Sequence, residues 1–155
     1  MEDTISELLE ESIGIELNAG RLYRLYSEMF PADRDFWVRL SMEEMNHAAL
    51  LKSARNFLRL GKLPMASIYP NLEVLKGLNQ LISSRMDEYQ TNKPGMLDAY
   101  RFALELEKSA AEEHFQEIMG SHQEDKVLEI FRKLSGGDKD HAERILALIA
   151  DTSDR

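Results

Sequence analysis

The stretch MEEMNHAAL, residues 42–50, places Glu44 three positions before His47, and GGDKDHAERI, residues 136–145, repeats the spacing with Asp138 and His141. Three residues are close to one turn of an α-helix, so in each stretch a carboxylate and an imidazole share a face. The surroundings read as helix. Leu, Ala, Glu, Met, Lys and Arg dominate, and apolar positions recur at three and four rather than two. The four prolines and most of the eight glycines gather in a few places: Pro31, GKLP (61–64), Pro70, KPG (93–95), Gly120 and the pair Gly136 and Gly137. Long helices are therefore expected over about 3–29, 34–59, 96–119 and 124–150, with a further helical piece over 71–90. Short links within each pair and a long link between pairs describe an all-α four-helix bundle with one long crossover connection.

The 155 residues fit one domain with a sizeable core, and the hydrophobic (43%) and charged (30%) fractions are those of an ordinary globular chain. A net charge of −9 argues against a nucleic-acid partner, because no strongly basic surface offsets phosphate repulsion. The chain has no cysteine, hence no disulfide, thiolate metal site or cysteine nucleophile. MEDTISELLEES, at the start, is acidic and amphipathic, unlike a secretory signal, and no apolar run approaches the ~20 residues of a membrane span. A cytoplasmic protein without membrane contact is expected.

Helical phase, at ~100° per residue, locates the acids. The first helix carries Leu9, Ser12, Ile13, Glu16, Ala19, Gly20, Tyr23 and Phe30 on one stripe. The second carries Trp37, Leu40, Glu44, His47, Leu51, Ala54 and Leu58. On the third the stripe is Tyr100, Ala103, Leu104, Glu107, Ala110, Ala111, His114 and Ile118; on the fourth it is Val127, Phe131, Leu134, Asp138, His141, Ile145 and Leu148. Each long helix thus places one carboxylate on its buried face, and two helices add a histidine one turn later. Buried carboxylates without partners are strongly unfavourable, and four that converge repel one another. Two divalent cations balance four negative charges.

Neighbouring acids need a decision. Glu105 falls about 160° from Glu107, on the face of Asp98, Arg101 and Glu112, which reads as solvated. Glu43 lies one residue off the stripe of His47. His122, in GSHQED, reads as a turn residue, and His114 as an outer hydrogen-bonding group or occasional ligand. Tyr23, seven residues past Glu16, is either a donor to a site carboxylate or a packed core tyrosine. The segments LSMEEMNHAALL (40–51) and LSGGDKDHAERI (134–145) share Leu, Ser, His and Ala at matching positions, a faint internal repeat that suggests two related helix pairs.

One Glu on each of two helices and Glu-x-x-His on the other two is the ligand set of the ferritin-like di-iron carboxylate bundles. IELNAGRLY (15–23) and EEMNHAALL (43–51) resemble helices one and two of rubrerythrins and bacterioferritins. LELEKSAAEEH (104–114) and DKDHAERI (138–145) resemble helices three and four of stand-alone rubrerythrin-type proteins. The resemblance spans about residues 5–150. It implies two iron ions, with Glu16 and Glu107 as terminal ligands, Glu44 and Asp138 as bridging carboxylates, and His47 and His141 as one imidazole per metal. Manganese and zinc suit the same donors, zinc without redox chemistry. The activity implied is oxidation of Fe(II) or reduction of hydrogen peroxide or O2, an oxidoreductase of ferroxidase or peroxidase type.

Three departures from the family pattern stand out. Asp138 replaces the usual Glu, shortening the reach by about 1.5 Å, one C–C bond, and the adjacent glycines loosen a helix. Ala110 stands one turn after Glu107, where rubrerythrins carry a further glutamate nearby. There is no rubredoxin-type centre, since that needs cysteines, so a peroxidase reading requires a separate electron donor. Bacterioferritins ligate haem through a methionine of helix two, and Met45 is its counterpart here, although the second half is less like theirs and haem is not expected. Only DTSDR follows the fourth helix, so a homodimer is expected rather than a large cage. An iron-binding or storage module is one rival reading, and a metal-free helical interaction protein on the same fold is another.

Overall fold

In the computed structural model, backbone is described for residues 2–59, 72–119 and 126–153, and side chains for 6–56, 72–110, 132–134 and 136–152. Among the described residues every regular element is helical: α1 Glu2–Met29, a 3-10 turn Pro31–Asp33, α2 Arg34–Arg59, α3 Leu72–Tyr89, α4 Met96–Met119 and α5 Lys126–Ser153. These match the five expected segments to within a few residues. No helix among the described residues is long and apolar enough to cross a membrane. GKLP (61–64), Pro70 and His122 lie outside the described residues.

The chain divides into two compact units, Met1–Asn92 and Lys93–Arg155. In the first, α1 packs along both α2 and α3. Its buried arc is therefore wider than the single stripe read from the sequence: Leu8, Ile15, Leu22 and Tyr26 are as buried as Leu9 and Tyr23. Pro31 cannot continue α1, having no N–H to donate. The chain turns there with Phe30 N–H to Tyr26 O at 2.9 Å and Asp33 N–H to Phe30 O at 3.0 Å. Asp35 then sits in the first turn of α2, where a negative charge complements the helix dipole.

An aromatic knot pins the three helices of this unit. Trp37 of α2 lies 5.4 Å from Tyr23 and 4.9 Å from Tyr26 of α1, between ring centroids, and Tyr89 of α3 lies 5.9 Å from Tyr26. Pairs of this kind add about 0.5–1.5 kcal/mol each beyond their buried area. The Tyr26 and Tyr89 hydroxyls are 2.8 Å apart. Burial, and secondarily the Tyr89 hydroxyl, push the ionisation of Tyr26 well above the ordinary phenol value. A second, polar clasp joins α3 to α1: Asn79 Nδ2 donates to Glu11 O at 2.9 Å and Glu11 Oε2 at 2.7 Å, and Asn18 Nδ2 donates to Asn79 Oδ1 at 3.0 Å. Gly14 leaves the room, since a Cβ there would meet Asn79 at 3.2 Å.

The second unit is the pair α4 and α5, packed side by side. Pro94 and Gly95 precede α4, and Gly95 O accepts from Ala99 N–H at 3.1 Å in its first turn. Tyr100, Ala103, Leu106 and Ala110 of α4 and Leu134, Ala142 and Ile145 of α5 are among the buried side chains of this unit. The glycines do not break α5, which runs unbroken through Gly136 and Gly137. Gly136 is exposed, with open space where a Cβ would stand. Each glycine costs about 1 kcal/mol relative to alanine in a helix interior.

Candidate metal centre

Each unit brings one set of the expected residues together. In the first, Glu16 comes from α1, and Glu44 and His47 from α2. Glu16 and Glu44 are 1% exposed, and their Oε2 atoms both lie 3.5 Å from His47 Nδ1. Each of the three residues offers a ligand atom within 4.8 Å of the others. The helices are tied close to this point. Ser41, one turn before Glu44, donates its hydroxyl to Gly20 O, one turn after Glu16, at 2.7 Å. A side chain at Gly20 would meet Met45 Cε at 2.5 Å and Ser41 O at 3.5 Å, so the backbones approach here because glycine has no Cβ.

In the second unit, Glu107 comes from α4, and Asp138 and His141 from α5. All three are buried, at 2%, 1% and 1% exposure, and their ligand atoms again lie within 4.8 Å of one another. His141 Nδ1 stands 3.3 Å from Glu107 Oε1. Both triads therefore offer two carboxylates and one imidazole, a donor set that suits a divalent transition metal and balances its charge. The residues fit such an ion: each triad gathers two carboxyl groups and an imidazole out of water, where a cation would offset the cost of burying carboxylates together.

The neighbouring acids fall as helical phase requires. Glu105 is exposed and Glu43 half-buried, while Glu107 and Glu44 face inward. Tyr23 is fully buried with its ring against Trp37. The side chain of His114 lies outside the described residues. Met45 is 39% exposed and Met42 61%, and both line a surface hollow with Gly20, Arg21, Arg24 and Ser41.

One residue of the site neighbourhood went unassigned in the sequence. Ser12 is fully buried one turn before Glu16, and its hydroxyl has no hydrogen-bond partner among the described residues. An unsatisfied buried hydroxyl costs about 1–3 kcal/mol. A hydroxyl on an otherwise apolar stripe next to Glu16 was the available clue. No family model, curated protein or solved structure matches this chain.

Proposed function

We propose that the two triads are halves of one dinuclear metal centre, and that the chain is a rubrerythrin-like, di-iron redox protein on a ferritin-like four-helix bundle. The observation that carries this reading is the duplicated donor set: two buried carboxylates and one imidazole in each unit, on residues that share one sequence pattern. Chance burial of one acid beside one histidine is commonplace; two matched, charge-balancing sets in 155 residues are not.

Glu16, Glu44 and His47 would hold one ion, and Glu107, Asp138 and His141 the other. A pair of iron ions held there would supply one electron each, the two electrons that the reduction of hydrogen peroxide to water requires. The protein's part is to fix the donors and exclude bulk water. With no cysteine for an iron–sulfur or rubredoxin-type centre in this chain, sustained peroxide reduction draws on a separate electron donor. In its absence the protein turns over as Fe(II) is supplied, which is ferroxidase behaviour. A homodimer completes the proposal.

The test is an anaerobic Fe(II) titration of metal-free protein, followed by peroxide or O2. Two equivalents per chain and an oxo-bridged ferric absorption on oxidation are expected. Two equivalents without that absorption would mean two separate mononuclear sites, and no binding would leave a metal-free helical protein.

A further inference from the structure

Hydroxyl groups on these helices have an ordinary way to be satisfied, which is to donate to a carbonyl three or four residues earlier. Ser27 does so to Arg24 O at 2.5 Å, Ser53 to Ala49 O at 3.2 Å and Thr152 to Leu148 O at 2.9 Å. Ser41 reaches across to Gly20 O instead. Ser12 does neither, although it is fully buried and the carbonyl of Leu8 is one turn away on its own helix. Its side-chain neighbours along α1, Leu8, Leu9 and Ile13, are buried and apolar, and offer its hydroxyl nothing.

Position adds meaning to that orphaned group. Ser12 and Glu16 differ by about 40° around α1, and residues four apart hold their Cβ atoms about 5–6 Å from each other. The hydroxyl thus lies on the same buried arc as the Glu16 carboxylate, in the unit that also supplies Glu44 and His47. A hydroxyl held there without a protein partner fits a small guest that arrives with the metal.

We propose that Ser12 belongs to the first half of the centre, as the hydrogen-bond donor to a small oxygen ligand, the size of water or peroxide, held beside Glu16. Ser12 is a ligand-binding group in this scheme, and it does not contact the metal. The inference rests on the metal-centre reading and adds to it a residue outside the expected ligand set. It predicts opposite signs for two measurements. Removing the hydroxyl relieves the empty protein of an unsatisfied polar group, so the melting temperature of metal-free S12A rises. The same substitution weakens the small ligand.

The experiment uses the full chain loaded with Co(II), whose visible bands report the ligands, and azide as the probe. Wild type is expected to bind Co(II) and to shift its spectrum with azide. S12A should bind the same number of Co(II) ions with an azide Kd raised three- to tenfold, the worth of one hydrogen bond. S12T, which keeps a hydroxyl, should recover most of the affinity. Equal azide affinity in S12A and wild type would overturn the assignment while leaving the centre intact. Absence of Co(II) binding in wild type would remove the centre itself, and Ser12's role with it.

Discussion

The triads of the two units use the same donors, yet one is open and the other closed. In Met1–Asn92, the side chain of His47 is 12% exposed, and its Nδ1 stands equally far, 3.5 Å, from two carboxylates. The imidazole of the first triad therefore keeps an edge toward solvent while its two carboxylates are buried. In Lys93–Arg155, His141 is 1% exposed and approaches Glu107 at 3.3 Å, and the remaining acid is the shorter Asp138. A metal reaching the second triad would meet donors with almost no exposed surface. The lesson is that composition fixes which ion a site can hold, while closure governs how readily it is filled. The first triad should fill first.

The largest expected effect comes from removing one carboxylate per half. Glu16→Ala and Glu107→Ala should each lower the Fe(II) count from two to one, with affinity at the altered half reduced more than about 100-fold. E16A should remove the fast-filling equivalent and E107A the slow one, as read by stopped-flow Fe(II) binding. Loss of both equivalents in either variant would break the division into two halves.

Metal-independent stability of the first unit comes next. Tyr89→Phe leaves the buried Tyr26 hydroxyl without its partner at 2.8 Å and should cost about 1–3 kcal/mol in urea melts. The same pair predicts an alkaline limit. The fold holds the Tyr26 proton more tightly than the unfolded chain does, so its contribution is complete below the ordinary phenol pKa of about 10. Above that pH the unfolded state loses the proton first and stability falls, a decline that Tyr26→Phe should remove.

A smaller change should sharpen the contrast between the halves. Asp138→Glu adds a methylene and should tighten the metal equivalent at Glu107, Asp138 and His141 by roughly tenfold, or about 1.4 kcal/mol, in calorimetric titration. Extra volume at a 1% exposed position will offset part of that in the metal-free protein. An unchanged affinity there would place the limit in closure rather than reach. Smallest of all is Glu105→Ala. Being exposed, it should alter neither metal count nor stability by more than about 0.5 kcal/mol, two residues from a ligand whose loss is severe.

Much of this was legible in the sequence because helical period sorts faces. Phase alone separated Glu107 from Glu105 and Glu44 from Glu43, and Pro31 and the KPG run (93–95) marked helix ends, whereas Gly136 and Gly137 lie inside α5. What period cannot report is depth and company. It put Phe30, Leu104 and Leu148 on buried stripes, yet they are only half-buried, because each lies at the margin of its helix's contact. It gave α1 one buried stripe, whereas packing on both α2 and α3 makes the arc broad enough to take in Tyr26. The link from Gly20 to Ser41 and the isolation of the Ser12 hydroxyl depend on how close two backbones come, which no spacing within one helix encodes.

The Asn79 clasp has a consequence in time as well as in space. The pairs α1–α2 and α4–α5 are joined by short links, so their contacts form between segments close along the chain. Asn79 meets its partners on α1 only across separations of 61 and 68 residues, and closing so long a loop is entropically costly before any contact rewards it. Docking of α3 is therefore expected late, after the rate-limiting barrier. Asn79→Ala should then speed unfolding and leave refolding nearly unchanged in a chevron analysis, with equal slowing of refolding as the contrary result. The segment that latches the first unit would be its last piece to arrive and its first to leave.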